Sequence, residues 1–348
     1  MVKFIEVPQV NLRVMSLNMQ FGSGPVDNEN DFMRHIPFEE MVYNLQEIAE
    51  LIYEVNPDVV CLQEADFESS RTDYIDQPEV IQHNLKEMGL NFNHLEYGSC
   101  IDLDEKRWGP VVPAIKWAYE NEKMAWFFDM LRIERGRLGE GRIKLHFGNA
   151  ILSKFPLREV VHEYYFPTSS RYVKNFNIVS RRDERKSFLR CRVDYLPQIR
   201  EKVPLYIINT HFENNEGNNR ERQSKLLYQK LFERSGAHKI LAGDFNATPY
   251  ERDLERLLNH KNMRCAEEIN PFSNDLSEIA KYNTYPAWGE ADKLLDTIMT
   301  SKNLEIVDYF VHPGAVSDHL AVVCDVRINP SVVKKSALRG VIEKVGRS

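Results

Sequence analysis

Short apolar runs that end in a polar or ionisable side chain recur along this chain. Examples are Val59-Val60-Cys61-Leu62-Gln63-Glu64, Leu205-Tyr206-Ile207-Ile208-Asn209-Thr210-His211 and Ile240-Leu241-Ala242-Gly243-Asp244. Runs of this length, bounded by turn-forming residues, predict buried strands. On the same pattern, strands are expected over 12–18, 59–63, 150–153, 188–194, 204–210, 239–243, 296–300, 305–311 and 319–328. Within 188–194, Leu189, Cys191 and Val193 alternate with Phe188, Arg190 and Arg192, which predicts a half-exposed strand. Phe38, Met41, Val42, Leu45, Ile48, Ala49 and Ile52 recur at helical spacing, so 38–55 is expected to be an amphipathic helix that Pro57 stops. Helices are also expected over 220–234 and 250–259, the latter opened by Pro249.

Many strands with fewer helices predict an α/β fold, a core of two packed sheets flanked by helices. No repeat, low-complexity tract or linker divides residues 1–348, so one domain is expected, with a short C-terminal tail at 329–348. The stretch from about 97 to 147 interrupts this pattern with Trp108, Trp117, Tyr119, Trp126, Phe127 and Phe128. A helix over 112–135 with a broad aromatic face is expected there, packed on the core, serving as a lid or substrate wall, or touching a membrane.

Composition narrows the setting. No apolar run reaches the ~18 residues that a membrane helix needs. Residues 1–6 lack the apolar core of a signal peptide, and five cysteines without a CxxC pair favour a reducing compartment, so a cytoplasmic location is expected and a zinc site is not. The net charge of −7 argues mildly against a long nucleic-acid groove. Against that balance, residues 171–192 hold eight basic side chains, among them Arg181, Arg182, Lys186, Arg190 and Arg192. They form either a solvated face or an anion-binding wall, with Arg182 the chosen candidate; Arg222 is a further candidate for contact with substrate.

The polar residues at the strand ends carry the chemistry. Glu64 is the best single ligand candidate for magnesium, a hard ion that takes one or two protein carboxylates and substrate phosphate oxygens. Asp244 and Asn246 alternate in an extended segment and can face one substrate, the first to orient or deprotonate water, the second to donate to a phosphoryl oxygen. His211 and His319 offer imidazole as a base or, when protonated, as a phosphoryl partner. Asp296 is the candidate to orient His319.

Seven segments in order, Leu17-Asn18, Leu62-Gln63-Glu64, Gly148-Asn149-Ala150-Ile151-Leu152-Ser153, Asn209-Thr210-His211, Gly243-Asp244-Phe245-Asn246, Leu295-Asp296-Thr297-Ile298 and Ser317-Asp318-His319, resemble the endonuclease/exonuclease/phosphatase superfamily. The resemblance covers nearly the whole chain. It implies a four-layer, DNase I-like α/β sandwich and a phosphoesterase dependent on magnesium or manganese. It implies that Asn18 and Glu64 bind or support the metal, with Asp318 close by. It further implies that Asp244 positions the nucleophilic water, Asn246 the phosphate or that water, and that His211 contacts the scissile phosphate. His319 becomes base or phosphate ligand, oriented by Asp296. No arginine follows Glu64 within six residues, where the deoxyribonuclease branch carries one, and Asn149 stands where abasic-site endonucleases contact phosphate differently. The segment from Thr210 to Ser224 is similar to the branch of sphingomyelinases, deadenylase-like hydrolases and tyrosyl-DNA phosphodiesterases. The expected activity is therefore phosphoester hydrolysis, with a small or lipid-headgroup phosphodiester favoured over a nucleic acid or DNA end. The alternative outside catalysis is a relative that only binds a phosphorylated ligand.

Overall fold

The computed structural model describes residues 10–26, 36–104, 144–165, 186–195, 204–214, 218–232, 236–248, 253–254, 257, 263–269 and 280–328. One sheet holds β1 (Val10–Asn18), β2 (Val59–Asp66), β3 (His94–Asp104), β4 (Lys144–Ser153), β11 (Leu304–Val311) and β12 (Val322–Ile328), in the order β11-β12-β1-β2-β4-β3. The other holds β5 (Leu157–Tyr164), β6 (Ser187–Val193), β7 (Leu205–His211), β8 (His238–Asp244), β9 (Met263–Cys265) and β10 (Asp296–Ser301), in the order β5-β6-β7-β8-β10-β9. Each sheet has one parallel pair, β1/β2 and β7/β8, among antiparallel neighbours. Parallel neighbours end on the same rim, so each pair presents two strand termini side by side.

The inner faces meet in one apolar layer. Leu12, Val14, Val59, Cys61 and Ile151 from the first sheet pack with Leu189, Cys191, Ile207, Ile240 and Ile298 from the second. Helices α1 (Phe38–Val55) and α2 (Gln77–Glu87) cover the outer face of the first sheet, where Leu45, Ile48, Ile52, Ile81 and Leu85 join Met15, Leu17, Val60 and Leu62. Helix α3 (Asn218–Phe232) covers the second sheet through Leu227 and Leu231, against Phe188, Tyr206, Ile208 and Leu241. The result is the expected order of layers, helix, sheet, sheet, helix. All five cysteines are buried and free.

Three differences from the sequence reading have physical causes. Strand β6 is buried on both faces rather than half-exposed, because α3 covers Phe188 and because Arg190 lies over the Tyr206 ring at 5.6 Å. The aromatic stretch begins and ends in strand, since β3 runs to Asp104 and β4 starts at Lys144; the helix expected over 112–135 lies outside the described residues. Helix α2 was not anticipated, although Asp76 caps it by accepting from the Glu79 amide at 3.1 Å and Pro78 sits in its first turn. Most of 250–259 and the tail 329–348 lie outside the described residues. Among the described residues, no helix is long and apolar enough to cross a membrane.

Candidate active site

The rim where β1, β2, β7 and β8 end gathers the polar residues of the sequence pattern. Polar bonds between the two sheets hold it together. The Gln63 amide donates to Asn209 Oδ1 at 2.7 Å, and the Asn209 amide donates to the carbonyls of Leu62 and Ala150 at 2.7 and 2.9 Å. These side chains are fully buried, so each bond also satisfies a group that water does not reach.

Glu64 sits where the β2–β4 register breaks, between Leu62 and Ala65, at a positive φ of 55°. A bulge turns a side chain out of the strict alternation. It accounts for a carboxylate that keeps 18% side-chain exposure in a strand otherwise buried. Gly243 precedes Asp244 for a different reason: a Cβ there would run into the Thr210 carbonyl of the parallel neighbour β7. Strand β8 can therefore lie close beside β7 and set Asp244 opposite His211 in the ladder.

Asp244 is the hub. Its Oδ2 accepts from the Asn18 amide at 3.0 Å and its Oδ1 from the Asn246 backbone N–H at 2.8 Å. The same Oδ2 lies 3.5 Å from His211 Nε2 and 3.9 Å from His319 Nε2. Asn18 is fixed in turn, its Oδ1 accepting from the Gln20 N–H at 3.1 Å. Burial, with the charge of Asp296 adding, pushes the Asp244 carboxyl up to about 6.

His319 donates from Nδ1 to Asp296 Oδ2 at 2.6 Å. Burial works against its proton, yet Asp296, Asp318 and Asp244 together raise it well above the ordinary imidazole range. Its ring lies 5.0 Å from that of Tyr285. The Tyr285 loop is tied on both sides, the Leu320 N–H donating to the Thr284 carbonyl and the Ala287 N–H to the Asp318 carbonyl, both at 2.8 Å. Ser317 donates to Asp318 Oδ1 at 3.1 Å. Burial raises the Asp318 carboxyl to about 7, Glu64 adding its charge in the same sense.

His211 has the opposite surroundings. The Lys186 ammonium donates to its Nε2 at 2.8 Å, and the Asn246 amide stands 3.2 Å from the same nitrogen. Burial, then the charges of Lys186 and His319, lower its pKa well below the usual value. Asn246 has a φ of 48° and its amide also donates to the Phe212 carbonyl at 3.0 Å.

Glu64 Oε1 lies 3.7 Å from His211 Nε2, so the rim brings together Asn18, Glu64, His211, Asp244, Asn246, Asp296, Asp318 and His319. Asn149 is buried beside β6, where its amide donates to the Ser187 carbonyl at 3.2 Å, and its Oδ1 has no hydrogen-bond partner among the described residues. Arg222 is exposed on α3 and Arg182 lies outside the described residues. Two residues escaped the sequence reading as site residues. Lys186 was one of eight basic residues with nothing to single it out. Arg220 is buried on the inward side of α3, bonded to Asp253 at 2.7 Å and donating to the Asn246 carbonyl; its spacing of three from buried Gln223 was a usable signal.

Asp244, Asp296 and His319 place ligand-type atoms within 4.8 Å of one another. Within that cluster, His319 and Asp296 form a short hydrogen-bonded pair. Comparison with known proteins agrees with the architecture. The chain is similar to an endonuclease/exonuclease/phosphatase from Beutenbergia cavernae, with 18% identity, a TM-score of 0.56 and coverage of 92% of this chain and 72% of that one. It is similar to truncated TDP2 from Caenorhabditis elegans at 15% identity and a TM-score of 0.53, covering 91% and 97% of the two chains. A mannosyl-6-phosphatase from Bacteroides thetaiotaomicron gives 14% identity and a TM-score of 0.55, covering 90% and 99%. At these identities the likeness is one of fold. No curated protein matches the chain. The model of the endonuclease/exonuclease/phosphatase family matches residues 15–319, from the first strand to His319, and the chain belongs to that family.

Proposed function

We propose that this chain hydrolyses a phosphodiester of a small molecule or lipid headgroup by divalent-cation-dependent attack of water. The position of Asp244 carries this reading. It is a buried carboxylate fixed by Asn18 and Asn246 within 4 Å of two histidines, one with its pKa lowered and the other with its pKa raised. A carboxylate raised toward neutrality and held in place is suited to take a proton from water.

The residues fit a hard cation. Glu64 and Asp318 are oxygen donors whose charges oppose each other, one of the reasons that the Asp318 carboxyl is raised; magnesium or manganese relieves that repulsion. Glu64, supported by Asp318 and Asn18, would hold such a cation, which would supply positive charge to the phosphoryl oxygens. The other parts of the work fall to side chains. Asp244 orients the attacking water and accepts its proton. His319, kept charged by Asp296, stabilises the phosphoryl group and returns a proton to the leaving oxygen. Asn246 directs its amide toward a phosphoryl oxygen.

The small-substrate preference rests on charge. The net charge is −7. The described members of the basic stretch are engaged within the fold, Lys186 on His211, Arg190 on Tyr206 and Arg192 with Glu159 at 2.7 Å. A nucleic-acid groove uses such residues on phosphates instead.

The test is Mg²⁺- and Mn²⁺-dependent hydrolysis of nicked and single-stranded DNA, RNA, sphingomyelin, inositol phosphates and bis-(p-nitrophenyl) phosphate by the parent and Asp244→Asn. Activity on a small or headgroup ester, lost in the variant and with chelator, is the expected outcome. Activity on nucleic acid alone, falling steeply with salt, replaces the substrate class with a nuclease. No hydrolysis and no metal binding would leave a phosphate-binding relative.

A further inference from the structure

Three successive residues after Asn18 stand in the left-handed region, Gln20 at φ 41°, Phe21 at 44° and Gly22 at 70°. Glu64, on the neighbouring strand, stands there too at 55°. Non-glycine residues keep such angles only where their surroundings impose them. The parallel register of β1 and β2 ends at Asn18 and Gln63, with one more bond from the Met19 N–H to the Gln63 carbonyl at 3.0 Å. Beyond it the two chains part, one into the turn and the other into the bulge at Glu64. Gln77, the first residue of α2, spans that gap and is fully buried. Its Oε1 accepts from the Asp66 N–H at 3.0 Å, and its amide donates to the Phe21 carbonyl at 2.7 Å. The N–H must meet the oxygen of that side chain and the carbonyl its nitrogen, so the amide has one orientation. A Cβ at Gly22 would stand 3.0 Å from Nε2, so the turn closes tightly on the amide. Arg71 joins the same two residues again. Its guanidinium bonds both Asp66 carboxylate oxygens at 2.7 Å and lies 4.0 Å from the centre of the Phe21 ring.

We propose that Gln77 is a positioning residue of the cation site: its amide sets Glu64 against Asn18 and so determines how tightly a divalent ion is held. This rests on the divalent-cation reading above and adds to it a residue that acts through Glu64 and Asn18. Asp66 follows Glu64 by two residues and Phe21 follows Asn18 by three, so the amide ties the roots of both. Arg71 joins Asp66 and Phe21 through their side chains, whereas Gln77 bonds their backbones. A small hard cation demands near-octahedral geometry from its oxygen donors. Groups that only orient its ligands are accordingly worth about ten- to a hundredfold in affinity.

The test measures Mn²⁺ binding to the full chain by calorimetry, well below the melting temperature, beside the Mn²⁺ dependence of hydrolysis. Gln77→Met keeps the length of the side chain and loses both bonds, so its Mn²⁺ affinity is expected to fall about ten- to a hundredfold. Its kcat at saturating Mn²⁺ is expected to stay near the parent's. Gln77→Glu keeps the acceptor for Asp66 and is expected to lose less. Gln82, on the same helix, donates to the Phe92 carbonyl. Gln82→Met removes a bond of the same kind and is expected to bind Mn²⁺ as the parent does. The proposal is overturned if folded Gln77→Met binds Mn²⁺ as the parent does. It is overturned too if Gln82→Met weakens the site as much, because the stability of α2 would then account for both. Where Gln77→Met does not fold, Gln77→Glu decides: weaker Mn²⁺ binding supports the proposal and parent-like binding overturns it. If neither folds, the amide serves the fold and the proposal falls. A parent that binds no Mn²⁺ sinks the divalent-cation reading itself, whereas a parent that binds it, with Gln77→Met unchanged, sinks the role of Gln77 alone.

Discussion

His211 and His319 sit on either side of one carboxylate, both buried, and their surroundings push their pKa values in opposite directions. Each lies within 4 Å of Asp244 Oδ2. Around His319 stand three carboxylates, Asp296, Asp318 and Asp244, which overcome the penalty of burial and hold the imidazolium. Around His211, burial first and then the Lys186 ammonium disfavour the proton, although Asp244 and Glu64 oxygens lie 3.5 and 3.7 Å from its Nε2. Burial lowers both, and only around His319 do enough carboxylates stand close to outweigh it. One side of the site thus favours a charged ring and the other a neutral one, a difference set by environment rather than by residue type.

The largest expected effect comes from removing the charged member. His319→Ala is expected to lower kcat by about 10²–10⁴, the range for a positioned proton donor or acceptor, measured on whichever ester the parent hydrolyses. A loss of only a few-fold would take His319 out of the chemistry. Asp296→Asn keeps the shape of the pair and removes its charge, so the fall in kcat is expected to be smaller, about 10²-fold or less. Asp296 raises the pKa of His319, so its loss lowers it. The limb of the pH–rate profile that belongs to His319 is therefore expected to move to lower pH. An unmoved limb would mean that the other carboxylates suffice.

These residues were legible in the sequence because strand ends have a signature. An apolar run that stops at Glu64, His211 or Asp244 marks both the strand and the rim, and two parallel pairs then bring the rims together. What made the site specific was less visible. The bulge that turns Glu64 outward depends on the β4 register, which no local pattern announces. Lys186 is chosen from its basic neighbours by where β6 begins, and its effect on His211 appears only when β6 and β7 pair. Strands β3 and β5 were missed because Gly98 and the charged Arg158, Glu159 and Glu163 interrupt their apolar periodicity. Helix α2 was missed although its cap was written in the chain, a failure of reading rather than of signal.

The acidic side also makes a prediction for the protein without metal. Asp318 and Asp244 hold protons up to about 7 and about 6 when folded, against about 3.9 for an unfolded aspartate. The folded state therefore binds more protons than the unfolded state across that window, and stability falls as pH rises through it. His319 adds in the same sense above about pH 6.5, where an unfolded histidine is already neutral; His211, lowered by burial, opposes only below about that pH. The melting temperature of the metal-free protein is expected to fall between about pH 6.5 and about pH 8. Millimolar Mg²⁺ should restore it most at the upper end. Asp318→Asn should flatten the decline and be the more stable protein at about pH 8, by about 1–3 kcal/mol. A metal-free parent whose stability rises over that interval would show that the carboxylates are not crowded.

The smallest effect is expected from the support beneath the neutral side. Arg220 grips Asp253 and the Asn246 carbonyl, and so holds a backbone at φ 48° that a non-glycine residue adopts only when its surroundings impose it. Asn246 in turn supplies one of the two donors on His211 Nε2. Lys in place of Arg keeps the charge and loses the planar fork that spans both acceptors. Arg220→Lys is expected to lower kcat about tenfold or less, the scale of one displaced positioning contact, with Mn²⁺ affinity unchanged. Its phosphate affinity should stay near the parent's, because Asn246 supplies alignment and no charge. If the variant instead lost phosphate binding altogether, alignment and charge would prove inseparable there. The neutral side would then work as one unit, as the proton-holding side does through Asp296.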